Sequence, residues 1–190
     1  MEMDLTKRTK INYLIIGLVT VLVTGTLLFS GCVKQTLGEA QIVVYKGGEK
    51  TIIDSKSPYF KQLQVACEEM IRSSEILSPE EIKNKVSPEE IRNKEWAIEL
   101  IYEEEIRQYD LAFARRLAFN ISISQVLIPM SGELTSLNVD NESYSALFGS
   151  ERIRSSEGKI EVYDRWPLKT KKDTQKIKDI LTRFDINVPY

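Results

Sequence analysis

Apolar and polar residues alternate through residues 95–106. Trp96, Ile98, Leu100 and Tyr102 fall on one side; Glu99, Glu103 and Glu105 fall mostly on the other, with Ala97 and Ile101 softening that second face. A period of two predicts a half-buried strand. The same period predicts a second long strand. There Phe113, Arg115, Leu117, Phe119, Ile121 and Ile123 share one face, and Arg116, Asn120, Ser122 and Ser124 the other. Gln108-Tyr109-Asp110 reads as the turn between them. Val126-Leu127-Ile128 ends at Pro129, residues 133–142 are polar and turn-rich, and residues 144–148 and 159–163 are further strand segments. Near the start of this region, QIVVYK (residues 41–46) and residues 50–54 flank Gly47-Gly48. Two β-rich runs around Gly-Gly predict a hairpin.

Two segments carry a helical period instead. Ser57-Pro58 predicts a helix start, serine as N-cap and proline at the first position. Phe60, Leu63, Cys67, Met70 or Ile71, and then Leu77 follow as its apolar stripe. At the other end Ile177, Ile180, Leu181 and Phe184 mark an amphipathic C-terminal helix, with Thr170 and Asp173 spaced as a capping box. Between the first helix and the first long strand lies a direct repeat: residues 78–86 read SPEEIKNKV and residues 87–95 read SPEEIRNKE. Each copy opens with an N-cap serine, a helix-compatible proline and a capping glutamate. Two short helical turns in a surface connector are expected, a charged docking arm being the alternative. The expected fold class is α+β: a curved antiparallel sheet, a long helix after an N-terminal hairpin, and a C-terminal amphipathic helix.

The first residues obey a different order. Lys7, Arg8 and Lys10 precede an apolar run over residues 11–29, and Leu28-Phe29-Ser30-Gly31-Cys32 closes it. Basic head, apolar middle and small-residue end are the parts of an export signal. The closing cysteine resembles the lipobox of bacterial lipoproteins, with Phe29 where that pattern prefers leucine. The resemblance implies cleavage before Cys32, a diacylglyceryl group on its thiol, and attachment to the extracytoplasmic face of the cell membrane. The competing expectation is an uncleaved anchor, since residues 11–29 are nearly long enough to span a bilayer. Both place the basic head inside and the rest outside. The expected organisation is a signal peptide at 1–31, a tether at 32–40, and one domain at 41–190 with the repeated connector at 78–95.

Charge and composition narrow the chemistry. The chain carries a formal net charge of −2. Its first 31 residues hold three cations against two anions, which leaves about −3 for the remainder. No basic footprint for nucleic acid is present. Of the two cysteines, Cys32 is assigned to lipid, so Cys67 has no disulfide partner and reads as a buried small hydrophobe. There is no histidine, which removes imidazole bases, triads and metal ligands. Glu103-Glu104-Glu105 and Glu68-Glu69 invite a carboxylate-pair argument, though a solvated face explains them as well. Asp140-Asn141-Glu142 lacks the glycine and spacing of a calcium loop and reads as a turn. Gly47-Gly48 lacks the following Lys-Ser/Thr of a phosphate loop.

Arg115 projects from the apolar side of its expected strand, where a guanidinium can hold an anion or pair with a carboxylate. Arg115, Tyr102 and Trp166 are the candidate binding residues, and Cys32 the lipid-attachment site. No catalytic residue, metal or cofactor is expected beyond the covalent diacylglycerol. Three functions follow: a non-enzymatic binding module, a carboxylate-based hydrolase of envelope polysaccharide, or an immunity-like lipoprotein that regulates a partner. The expected partners are the membrane, through the lipid, and an envelope protein, peptide or glycan.

Overall fold

A computed structural model describes residues 36–78, 87–106, 122–154 and 158–184, with only the backbone of residues 164 and 165. The chain divides between residues 35 and 36, and all described residues belong to the second unit. Cys32, Arg115 and the first repeat copy beyond Ser78 lie outside the described residues, as does most of the strand expected at 113–124.

The domain is α+β and mostly antiparallel sheet. Strands β1 (Ala40–Lys46) and β2 (Glu49–Ile53) form the expected hairpin. Gly47 and Gly48 both take positive φ, +55° and +89°, as a tight two-residue turn between twisted strands requires. Helix α1 (Phe60–Arg72) follows and buries Phe60, Leu63, Cys67, Met70 and Ile71, the expected stripe. Its start differs from expectation. Ser57 is not the N-cap: its hydroxyl donates to the Asp54 carbonyl, Lys56 N–H donates to the Asp54 carboxylate, and the helix begins at Phe60. Asp54 captures the turn, and Ser57 is consumed by it.

Strand β3 (Glu75–Ile76) comes next, and the second repeat copy then forms helix α2 (Pro88–Lys94). Here the capping reading holds, because the Ser87 hydroxyl accepts from Glu90 N–H at 3.1 Å. Strand β4 (Trp96–Ile106) pairs with β1 and with β5 (Ile123–Pro129). Ile123 and the segment ending at Pro129 thus form one strand. A 3-10 turn (Glu133–Thr135) leads to β6 (Leu137–Val139) and β7 (Glu142–Arg154). Asp140 and Asn141, at φ +52° and +65°, make the hairpin turn between them. Asp140-Asn141 is a turn, as its sequence suggests.

β7 and β8 (Ile160–Thr170) run well past the segments expected from periodicity. Pro167 hid the second of these, since proline argues against a paired strand. It is tolerated because its outer neighbour, Leu77 N–H, needs only the Pro167 carbonyl. Helix α3 (Gln175–Arg183) buries Ile177, Ile180 and Leu181. The expected capping box does not form. Thr170 is buried at the end of β8, where its hydroxyl meets that of Ser73, and Asp173 accepts from Gln175 N–H instead.

The strand order is β2-β1-β4-β5-β7-β8-β3, every pair antiparallel, with β6 beside β7 off this path. The main core joins α1 and α3 to Ile42, Val44, Trp96, Ile98, Leu100, Tyr102, Val126, Ile128, Leu147 and Leu168. A second, smaller cluster gathers Ile91, Ala97, Leu127, Leu134, Ala146 and Phe148. β4 is therefore covered on both faces along its first half. Glu99, expected on a solvated face, is 2% exposed.

Candidate binding site

Where β4 outruns β1, the sheet opens into a cleft of about 870 Å³. Four elements wall it. Residues 36–39 form a strap that enters β1. Ile53 and Asp54 close β2, Phe60, Lys61 and Gln64 come from the first turns of α1, and Ile101, Tyr102 and Glu103 come from β4. Arg152 of β7 braces the floor: its guanidinium donates to the carbonyls of Tyr102, at 2.6 Å, and Glu103, at 3.1 Å.

The most unusual groups sit on α1: Gln64, which lines the cleft, and Glu68, which does not but is bonded to it. Gln64 and Glu68 are one turn apart, so they share a helix face. Both are buried, and the Gln64 amide donates to Glu68 Oε1 at 2.9 Å. The same amide donates to the Gly38 carbonyl at 2.7 Å, and Leu37 N–H donates to Glu68 Oε2 at 2.9 Å. Burial holds the Glu68 carboxyl above the ordinary glutamate range. The donors from Leu37 and Gln64, and the more distant charges of Arg72 and Lys61, pull the other way. Burial also raises the Cys67 thiol, and the Glu68 charge adds to it. Cys67 is fully buried and an inert core residue.

The sequence candidates separate. Tyr102 is a cleft residue, but its side chain is fully buried and its hydroxyl has no hydrogen-bond partner among the described residues. Burial, with the Glu68 charge second, raises that hydroxyl well above the usual tyrosine range. Trp166 lies on β8, half-buried against the main core, and is not among the cleft walls. A Cβ added at Gly149 would come within 3.2 Å of the Trp166 Cβ, so the glycine admits this close packing. Tyr102 and Trp166 thus touch the same core, but only Tyr102 reaches the cleft.

The acidic strand also splits. Glu99 is sealed beneath α2, accepting from Tyr45 Oη at 2.7 Å and pairing with Arg92 at 2.5 Å. Burial, then the hydrogen bond to Glu99, pushes the Tyr45 hydroxyl up to about 12. Glu105 accepts from the Ser122 hydroxyl at the surface. Of these, Glu103 alone lines the cleft, beside Glu39 of the strap, whose carbonyl accepts from Glu103 N–H at 3.0 Å. Gln64 and the strap were not legible as site residues, and Glu68, weighed with Glu69 as a carboxylate pair, was expected on a solvated face but is buried. The only sequence signal was a pair of polar residues on the apolar side of a helix.

A second depression of about 520 Å³ lies beside Lys46, Lys94, Trp96, Ser131 and Lys178. It is a structural corner. Ser131 Oγ accepts from Trp96 N–H and donates to Glu95, Lys94 pairs with Glu90, and Gly132 takes φ +76° where a Cβ would meet Glu95 at 2.9 Å. Among the described residues no group of three or more acidic or cysteine side chains is placed to hold a metal ion. Among them, too, no helix is long and apolar enough to cross a membrane. Compared with known protein families, curated proteins and solved structures, the chain matches none.

Proposed function

We propose that this chain is a lipoprotein tethered to the extracytoplasmic face of the cell membrane, and that its domain is a non-enzymatic binding module working through the cleft. The observation that carries the tether is the order of residues 7–32: basic head, apolar run, Ser30-Gly31-Cys32. A diacylglyceryl group on Cys32 carries two acyl chains, enough for stable anchoring. Thr36, the first described residue, follows Cys32 by four peptide links, a reach of at most about 14 Å. Thr36 also lines the cleft, so a tethered domain would hold the cleft within reach of envelope proteins, peptides or glycans near the membrane. The finer architecture belongs to the same reading. The sheet curves, and α1 and α3 share one face, because their apolar stripes join a single cluster with the sheet.

The binding reading is supported by what Gln64 and Arg152 of the cleft, and Glu68 beside Gln64, already do. Gln64, Glu68 and Arg152 hold main-chain groups, and the chain has no histidine to activate a hydroxyl. The hydrolase reading rests on one observation, that Glu39, Asp54 and Glu103 line a common cleft. Glu39, in the strap, and Glu103, on β4, are however joined main chain to main chain and so sit side by side. Turnover of an envelope polysaccharide abolished by Glu103→Gln would favour it.

The mass of the chain purified from its native host tests the tether. Loss of residues 1–31 and gain of a diacylglyceryl group is expected. A chain that retains Met1 and a free Cys32 thiol would replace the lipoprotein by an uncleaved anchor. Cys32→Ser should block both modification and cleavage.

A further inference from the structure

The strap over residues 36–39 is held chiefly through its main chain. Leu37 N–H goes to Glu68, the Gly38 carbonyl takes the Gln64 amide, and the Glu39 carbonyl takes Glu103 N–H. Of its side chains, Leu37 packs at the edge of the main core, and the Thr36 hydroxyl accepts distantly from Lys61 at 3.4 Å. Gly38 has room for a side chain, since an added Cβ would meet only the Tyr102 ring, at 3.7 Å. The clasp therefore reads a peptide backbone plus one apolar side chain.

Its composition is costly for a purely structural role. Glu68 and Gln64 are 2% and 4% exposed. A buried carboxylate that accepts from a neutral amide and a backbone N–H carries a desolvation penalty that an apolar residue would avoid. Tyr102 adds a buried hydroxyl without a partner among the described residues. Beside the clasp, β4 runs on to Ile106 while β1 begins at Ala40, opposite Tyr102. Residues 104–106 of β4 therefore extend past the paired end of β1, and an extended segment can lengthen a sheet at such an edge.

We propose that Gln64, Glu68 and the projecting edge of β4 form a peptide-binding site that the strap fills in cis, and that an extended peptide with an apolar residue at the position of Leu37 displaces it. Displacement would add residues 36–39 to the tether, so ligand binding and the reach of the domain would be coupled. The proposal rests on the binding-module reading and is independent of lipidation.

A labelled synthetic peptide of residues 33–40 (VKQTLGEA) is the probe, with the full chain in detergent. In the wild type the covalently attached strap competes at an effective concentration in the millimolar range. Leu37→Pro removes the N–H that Glu68 accepts, and Leu37→Ala removes the apolar anchor. A variant that keeps the wild-type near-ultraviolet dichroism should bind the peptide at least ten-fold more tightly than the wild type. Adding Gln64→Ala should abolish the gain, and a peptide with alanine for leucine should bind at least ten-fold more weakly. Absence of saturable binding to a folded Leu37 variant would overturn the proposal. So would failure of both variants to fold, because the strap would then be a structural member. Neither result touches the mass test of the tether.

Discussion

The two faces of β4 are held by different physics. On one, Trp96, Ile98, Leu100 and Tyr102 meet the stripes of two helices in a continuous apolar core. On the other, a seven-residue helix covers a small cluster, and a buried carboxylate is stitched to it by Arg92 and Tyr45. The first face is stabilised by area removed from water, in many small increments. The second concentrates its cohesion in two residues of the repeat, Ile91 and Arg92. Beyond Ile101 the second face is uncovered, residues 103–105 are exposed, and the cleft begins. One strand therefore runs from a sealed end to an open one.

Deleting residues 87–95 should do the most damage. It removes the buried Ile91 and leaves Glu99 without its cation, losses of about 3 kcal/mol each, comparable to the whole stability of a small domain. The first copy carries equivalent Ile82 and Lys83 but cannot substitute. Leu77 is fixed to Pro167 on β8, while α2 packs on β1 and β4. From β3 to β4 the sheet order counts four strand spacings, roughly 19 Å along the sheet, which the nine residues left at 78–86 can cover extended but not as a helix at about 1.5 Å per residue. Loss of the cooperative thermal transition is the expected result. A native-like melt would show the repeat to be a tolerant connector.

Arg92→Ala alone breaks the staple while leaving Ile91. About 3 kcal/mol should be lost in urea denaturation, because a carboxylate that is 2% exposed loses its cation. Adding Glu99→Met should recover most of it. If Arg92→Ala costs under about 0.5 kcal/mol, the pair behaves as a surface bridge, and the contrast between the faces fails.

Glu68 sharpens the comparison through pH. Its folded-state pKa is raised by burial, so the folded domain binds the proton more tightly than the unfolded chain. Its contribution to stability is therefore greatest at pH values below the ordinary glutamate range, and falls as pH rises through the folded value. The difference in stability between wild type and Glu68→Gln should shift in favour of the variant from pH 4 to pH 7. A pH-independent difference would mean that the carboxylate is not buried in solution. Tyr102→Phe is the smallest perturbation. Removing a buried hydroxyl that lacks a partner among the described residues should leave stability unchanged or raise it by about 1 kcal/mol. A loss of that size would reveal a hidden partner.

Legibility follows the same division. The hairpin at Gly47-Gly48, the stripe of α1, the apolar side of β4 and the α3 stripe were readable, because each depends on local periodicity or turn chemistry. Glu99 was misplaced because a charge on an alternating strand reads as solvated. Only the tertiary approach of Arg92 and Tyr45, 7 and 54 residues away, makes its burial tolerable. The ends of β7 and β8 were hidden by Arg152, Arg154 and Pro167, residues that argue locally against a strand. The clasp was invisible for a related reason. Gln64 and Glu68 look like ordinary polar helix residues until a strap from 26 to 31 residues upstream lies over them.

Residue-resolved hydrogen exchange along β4 tests most directly the claim that one strand is sealed at its start and open at its end. The amides of residues 97–101 should exchange only with global unfolding. Those of Glu104 and Glu105 should exchange at least a hundred-fold faster, with Glu103, held by the strap, in between. Uniform protection from Trp96 to Ile106 would contradict the account, and with it the cleft as an accessible site.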